Sequence, residues 1–330
     1  MKRFKNILYV LDNDLEASHS LERAVRLAAT NGAELTVAYC VQGMPRDAGT
    51  TADTPDEEPW WLLRSEWSGQ LERMVAPFRA EGTPITTTVL GGIPFLEIIR
   101  RVHAHGHDML IKPAQAIGGI RNLLFGSTDL HLMRKCPCPV WIHKVPNEPS
   151  YDGILAAVDV SSEDEQQQRL NRLIMDLASS LAVSEGSPLH VVHAWSVPGE
   201  SAARGRAFIR MAKEQVERLV ARERERRRGA FLPLIGEYRN RVPELQDHLL
   251  KGQTQFVVPE FARTYEIDLI VMGTIGRTGL PGMLMGNTAE DTLRQVDCAV
   301  LTVKPEGFVS PVAPATEAPA PLRRRDPVSH

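Results

Sequence analysis

The chain repeats itself. When the sequence is slid so that Asp108-Met109-Leu110-Ile111 lies on Asp268-Leu269-Ile270-Val271, the register continues without a gap until Lys144 meets Lys304. The matches are not only apolar: Gly119 falls on Gly279, Gly126 on Gly286, Thr128 on Thr288, Arg134 on Arg294 and Cys138 on Cys298. Near the two starts, Ile7-Leu8-Tyr9-Val10-Leu11-Asp12 matches Ile154-Leu155-Ala156-Ala157-Val158-Asp159 with a smaller offset, so a length difference falls between the blocks. Such a tandem duplication requires both halves to adopt one fold. With 330 residues, two domains are also what length alone predicts, because single cores tend to stop growing near about 100 to 200 residues. The expected division is 1–146, 150–305, and a tail over 306–330 in which Pro and Ala recur without apolar periodicity, ending in Arg323-Arg324-Arg325. That composition predicts disorder in the tail.

The second half shows the unit most clearly. Ile154 to Val158 reads as a buried strand, and Ser162 with Glu165 reads as a capping box ahead of Leu170, Leu173, Ile174, Leu177 and Leu181 at helical spacing. Next come a strand over Leu189 to Trp195, a helix from about Arg206 to Arg228, a strand over His248 to Lys251 and a helix across Phe256 to Tyr265. The strand Leu269 to Met272, a glycine-rich turn, a helix to about Gln295 and the strand Ala299 to Val303 complete it. Five strands interleaved with helices predict an α/β fold, with a doubly wound five-stranded parallel sheet in each half. Ligands of such sheets sit beyond the carboxyl ends of the strands, near the point where strand order reverses.

The turn has the composition of a phosphate cradle. It runs Gly273-Thr-Ile-Gly276, then nine residues, then Gly286-Asn287-Thr288, between a strand and a helix. Glycine lets backbone N–H groups approach an anion without obstruction by Cβ. No Gly-Lys-Ser/Thr closes it as a Walker A loop requires, and the spacing is not Gly-x-Gly-x-x-Gly. Fast phosphoryl transfer therefore lacks its usual parts, and binding is expected rather than turnover. Asp159, at the end of the first strand of this half, borders the same crevice and can accept hydrogen bonds from a ribose or an adenine amino group. The competing reading makes it the start of the turn Asp159-Val160-Ser161-Ser162.

These residues resemble the universal stress protein family in its tandem, two-domain form, whose motif is Gly, two residues, Gly, nine residues, Gly and then Ser or Thr. The resemblance implies a Rossmann-like fold of the adenine-nucleotide alpha-hydrolase type. It also implies a stress-response regulatory role without enzymatic activity, slow ATP hydrolysis being left open. In nucleotide-binding members an aspartate after the first strand contacts the nucleoside, a small residue ending the second strand lines the base pocket, and the glycines with the following hydroxyl residue hold the phosphates. By position these roles fall to Asp159, Ala194, Gly273, Gly276, Gly286, Asn287 and Thr288. The implied ligand is ATP or another adenine nucleotide, with or without Mg, and the implied protein partner is a regulatory one.

Asn287 departs from the motif by offering an amide where a hydroxyl is usual. The first half departs further: Pro113 and Ala116 stand where the second half has Gly273 and Gly276, and only Gly126-Ser127-Thr128 remains. Proline offers no N–H, so the first half is expected to bind nucleotide weakly or not at all despite Asp12 and Ser127. Lys112 reads as an exposed lysine, the alternative being a contact to some other anion. In the family the last strand of each domain often mediates pairing; here Val140 to Lys144 and Val300 to Lys304 are expected to pair the halves as an internal pseudo-dimer, with a homodimer also open. The rival function is a stress adaptor that binds no nucleotide and acts through protein partners or an apolar ligand.

The remaining features are read as structural. A net charge of −3 offers no bulk attraction to nucleic acid or anionic membrane. The apolar run Ile7 to Leu11 is too short for a signal peptide core or a membrane span, so a cytoplasmic location is expected. Cys40, Cys136, Cys138 and Cys298 do not have zinc-ribbon or Cys-x-x-Cys spacing and are expected reduced, with Cys138 a small buried hydrophobe. His103, His105 and His107 straddle the expected end of a helix that begins near Pro94, where the dipole favours histidine over a metal site. The run Arg222 to Arg228 interleaves Glu and Arg and reads as a solvated helix face; Trp60, Trp61 and Trp67 read as packing against the sheet or a partner.

Overall fold

The computed structural model describes residues 3–11, 18–45, 58–114, 125–144, 150–197, 199–200, 213–274 and 285–313. The first half contains β1 (Asn6–Leu11), α1 (Ser18–Asn31), β2 (Glu34–Gln42), α2 (Glu58–Ala80), β3 (Ile85–Gly92), α3 (Pro94–His105), β4 (Met109–Pro113), α4 (Ser127–Lys135) and β5 (Val140–His143). The second contains β6 (Ile154–Ala157), α5 (Glu165–Glu185), β7 (Leu189–Trp195), α6 (Lys213–Gly236), β8 (Leu245–Lys251), α7 (Thr254–Thr264), β9 (Leu269–Gly273), α8 (Asn287–Leu293) and β10 (Ala299–Val303). Each half forms five parallel strands in the spatial order third, second, first, fourth, fifth, as the alternation predicts. Strand order reverses between β1 and β4, and again between β6 and β9.

The two sheets are one. β5 and β10 pair antiparallel, with Val300 opposite Ile142, Leu301 opposite Trp141 and Thr302 opposite Val140, giving a single ten-stranded sheet. The pairing expected of the last strands is thus present, and Thr302 Oγ1 adds a bond to Val140 O at 3.2 Å across it. Because all strands within a half are parallel and the seam is antiparallel, the carboxyl ends of the two halves lie at opposite edges of the sheet.

The strand sequences explain the burial. β4, β9 and β10 read Met-Leu-Ile-Lys-Pro, Leu-Ile-Val-Met-Gly and Ala-Val-Leu-Thr-Val, near-continuous apolar runs suited to a sheet covered on both faces. One apolar cluster joins a sheet face to α1, α2, α5 and α6 through Leu21, Leu71, Ile174 and Phe231, and runs unbroken across both halves. The other joins the opposite face to α3, α4, α7 and α8 through Ile98, Leu132, Phe261 and Leu293. On the first face Trp67 stacks on Tyr39 with centroids 3.6 Å apart, and Trp60 packs against the same cluster, in keeping with the packing reading of the tryptophans.

A buried ion pair also bridges the halves. Arg23 of α1 places Nη1 2.5 Å from Glu185 Oε1 at the end of α5, with the two side chains 5% and 8% exposed. The guanidinium lies over the Tyr151 ring at 3.9 Å, Tyr151 N donates to Glu185 Oε2, and Tyr151 OH meets His143 Nδ1 at 2.8 Å.

Several sequence expectations change in detail. α5 takes Asp164, not Ser162, as its N-cap: Asp164 Oδ2 accepts from Gln167 N at 3.0 Å, while Ser162 Oγ accepts from Asp164 N. Both Ser-x-x-Glu and Asp-x-x-Gln satisfy the capping pattern, and the second wins here. β8 begins at Leu245 rather than His248, and α6 continues past Arg228 to Gly236, while residues 206–212 of that expected helix lie outside the described residues. Of the tail expected over 306–330, residues 306–313 are among the described ones. Val312 is buried in the second cluster, and Gln166 Nε2 donates to Glu306 O, contacts that the Pro/Ala pattern obscures. Residues 314–330 lie outside the described residues. Among the described residues, no helix is long and apolar enough to cross a membrane.

Two buried histidines make stability acid-sensitive. Burial pushes His143 down to about 3, helped by Arg23 and His19, and pushes His107 down to about 4, helped by Arg101 and His105 and opposed by the Asn6 backbone. The folded rings stay neutral where the unfolded rings, near 6.5, take up protons. Their contribution is therefore present in full above about pH 6.5 and is lost as the pH falls toward 4. The urea midpoint is expected to fall between pH 6.5 and pH 4, and a His107→Phe variant should show a shallower fall. An identical slope in that variant would remove His107 from the account.

Candidate functional site

A cavity of about 640 Å3 opens at the carboxyl ends of β6 and β9, where the strand order of the second half reverses. Its lining includes Asp159, Ala194, Gly273, Gly286, Asn287 and Thr288, so six of the seven residues singled out in the sequence meet in one crevice. Gly276 falls in the segment 275–284 and lies outside the described residues.

Each wall has a local cause. Asp159 follows β6 and is both a turn former and a crevice residue: Ser161 donates to its Oδ1 from N at 2.9 Å and also from Oγ. The turn fixes the carboxylate's direction. Its main chain is held by Asn171 of α5, whose Nδ2 donates to Asp159 O at 2.8 Å and whose Oδ1 accepts from Asp159 N at 3.1 Å. Gln167, one helical turn earlier, donates to the same Asn171 oxygen and itself reaches the crevice. Asn171 was not anticipated, although a buried amide between Leu170 and Ile174 on an apolar helix face is a visible signal.

Gly273 also suits the packing around it. A Cβ there would lie 2.9 Å from Leu170 Cδ2 on α5, so that the leucine would have to shift. Gly286 also has a structural part. Its N–H donates to Thr274 O at 2.9 Å, closing the neck of the glycine loop. Asn287 and Thr288 open α8 beside it, where first-turn amides lack intrahelical partners. Ala194 sits between His193 and Trp195 at the end of β7, and its small side chain leaves space that a larger residue would fill.

Three further lining residues bear on the site. Thr274 is fully buried at the loop root. His193 Nδ1 lies 3.1 Å from Val158 O, which aligns β7 with the chain entering Asp159. Arg227 reaches the crevice from α6 while paired with Glu223 at 2.5 Å. The last bears out the pairing reading of the Arg/Glu run but places one of its members beside the site.

At the corresponding place in the first half the described residues hold a buried ion pair. Lys112 is buried, not exposed: its Nζ lies 3.1 Å from Asp129 Oδ1 and donates to Pro113 O at 2.8 Å. Asp129 Oδ2 accepts from Gly126 N at 3.1 Å. In the repeat register Lys112 and Asp129 stand where the second half has Met272 and Ala289, both of which line its crevice. A carboxylate of the chain itself therefore occupies the amide that opens α4, and Ala116 and Asp12 fall outside the described residues.

Other candidates resolve structurally. Cys136 and Cys138 are buried with sulfurs 3.5 Å apart, Cys138 in the turn before β5; the neighbouring Cys136 thiol and burial push the Cys138 thiol up. His103 and His105 occupy the last turn of α3, closed by Gly106 in the left-handed conformation at φ 63°. Among the described residues, no three His, Cys, Asp or Glu side chains gather as a metal site.

Comparison with known proteins follows the same outline. The family model described as "Universal stress protein family" matches residues 3–144 and again residues 150–304. Universal stress protein E of Photorhabdus laumondii is 28% identical over 324 residues, covering 96% of this chain and 100% of its own. Universal stress protein E of Escherichia coli K12 is 29% identical over 318 residues, covering 94% and 98%. Among solved structures, a putative universal stress protein from Pseudomonas aeruginosa UCBPP-PA14 superposes with a TM-score of 0.70 at 25% identity, covering 92% of this chain and 94% of the other.

Proposed function

The chain belongs to the universal stress protein family, and from that premise we propose that its second half binds ATP or a related adenine nucleotide, with or without magnesium, as the input of a regulatory module. The observation that carries this is the convergence of Asp159, Ala194, Gly273, Gly286, Asn287 and Thr288 on one crevice at the switch point of a parallel sheet. In this reading Asp159, oriented by Ser161, accepts from the nucleoside, Ala194 leaves room for the base, and the loop from Gly273 through Gly276 to Thr288 receives the phosphates. The first half, whose cradle holds its own ion pair, supports the second. Nucleotide favours one arrangement of the loop, and a protein partner reads that arrangement in the cytoplasm; hydrolysis is not part of the proposed role.

A second reading, an adaptor that binds no nucleotide, draws on the Gly286 amide, which already serves the loop neck. Native mass spectrometry of freshly purified full-length protein, followed by identification of any released small molecule, separates the two. One adenine nucleotide per chain supports the module; none, even after ATP and magnesium are added, supports the adaptor. Asp159→Ala is expected to weaken ATP binding by roughly 10- to 100-fold, the worth of one or two hydrogen bonds to a charged acceptor. Unchanged affinity in a variant that retains the fold would take Asp159 out of the site.

A further inference from the structure

We propose that Lys304 ties the first half's helix α4 to the root of the second half's glycine loop, making the seam between the halves a determinant of how the crevice is held. The part concerning ligand rests on the nucleotide reading above; the tie itself does not.

Lys304 follows β10 and is only 7% exposed. Its ammonium donates to Met133 O, in the last turn of α4, and to Thr274 Oγ1, in the other half. A cation beside a helix's terminal carbonyls is favourably placed. Thr274 is fully buried and makes three connections: N to Val303 O at 3.2 Å, Oγ1 to Lys304, and O to Gly286 N at 2.9 Å. Thr274 and Gly286 flank the glycine loop, so the last of these bonds is the loop's neck. A second tie runs beside the first: Arg134 of α4 pairs with Glu290 of α8, whose N donates to Gly286 O at 3.1 Å. Helix α4 therefore grips both sides of the neck from across the seam.

The repeat supplies the contrast. Lys144, the counterpart of Lys304, also reaches across the seam, donating to Val296 O at 2.6 Å beyond α8. Yet the counterpart of Thr274 is Ala114, which has no hydroxyl, although its N still donates to His143 O at 2.8 Å. Both lysines can fasten the halves together; among the described residues Lys304 bonds a hydroxyl at its loop root, whereas Lys144 at the other loop lies over the Phe125 ring at 4.5 Å. Burial pushes the Lys304 ammonium down to about 7, partly opposed by Cys136, a cost that a lysine serving solubility would avoid by extending into water.

The test uses hydrogen exchange in the full-length, ligand-free protein, read at amides 286–290, together with ATP titration. Thr274→Val removes one oxygen with little change of shape, Thr274→Ser keeps it, Lys304→Met removes the ammonium, and Arg134→Ala acts from the first half. Exchange at 286–290 is expected to quicken roughly tenfold in Thr274→Val and Lys304→Met, less in Arg134→Ala, and to stay near the wild-type rate in Thr274→Ser. ATP affinity should fall in the same order. Wild-type exchange in Thr274→Val overturns the tie even if Lys304→Met fails to fold. Faster exchange with ATP affinity unchanged overturns its link to the ligand. Faster exchange in a protein whose wild type takes no ATP leaves the tie standing and sinks the nucleotide reading instead.

Discussion

Asp129→Ala is expected to lower the free energy of unfolding by about 3–5 kcal/mol, because it strands the Lys112 ammonium in the interior of the first half. Lys112→Met alone should cost a comparable amount by stranding the carboxylate. The double variant Lys112→Met/Asp129→Ala carries the residues that the second half already uses at these places, Met272 and Ala289, and should recover most of the loss. Recovery stops short of complete because Asp129 also accepts from Gly126 N. Urea denaturation of the three variants checks this through the coupling energy. If both single variants stay within about 1 kcal/mol of wild type, the pair is not the buried ion pair described above. The double variant should still fail to bind nucleotide in its first half, since Pro113 continues to withhold an amide at the end of β4.

The second large effect lies on the opposite face of the sheet. Glu185→Ala removes the partner of Arg23 where the two side chains are 5% and 8% exposed, and also removes the acceptor of Tyr151 N. A loss of about 3–5 kcal/mol is expected. Because Arg23 belongs to one half and Glu185 to the other, the loss falls on their docking. Calorimetry should show one transition in the wild type separating into two in the variant. A single transition with an unchanged midpoint would mean that the pair contributes nothing to holding the halves together.

How far the sequence disclosed this architecture depends on the range of the interaction. β10 occupies Ala299–Val303, as its apolar run indicated, and β9 differs from expectation by one residue. Such strands are buried on both faces, so composition alone marks them. β8 is an edge strand of mixed exposure, and its polar start at Leu245-Gln246-Asp247 hides it. The crevice was legible because its residues sit at strand ends, where a parallel sheet gathers them regardless of separation in sequence. Lys112 was misread for the opposite reason. Nothing local marks a lysine as buried when its partner Asp129 arrives only after an intervening loop. Lys304, Thr274 and Met133 were beyond local reading altogether, since their meeting depends on the docking of one half against the other.

The antiparallel pairing of β5 with β10 has a consequence for what a chain of this kind can become. A pair of separate subunits joined through the same edge would dissociate on dilution, and any substitution would appear in both at once. Here the partner strand is covalently supplied, so association no longer depends on how much protein is present. Each side of the seam can also change alone, which is how a threonine stands at one loop root and an alanine at the other. The molecule is thereby free to let the two ends of its sheet diverge.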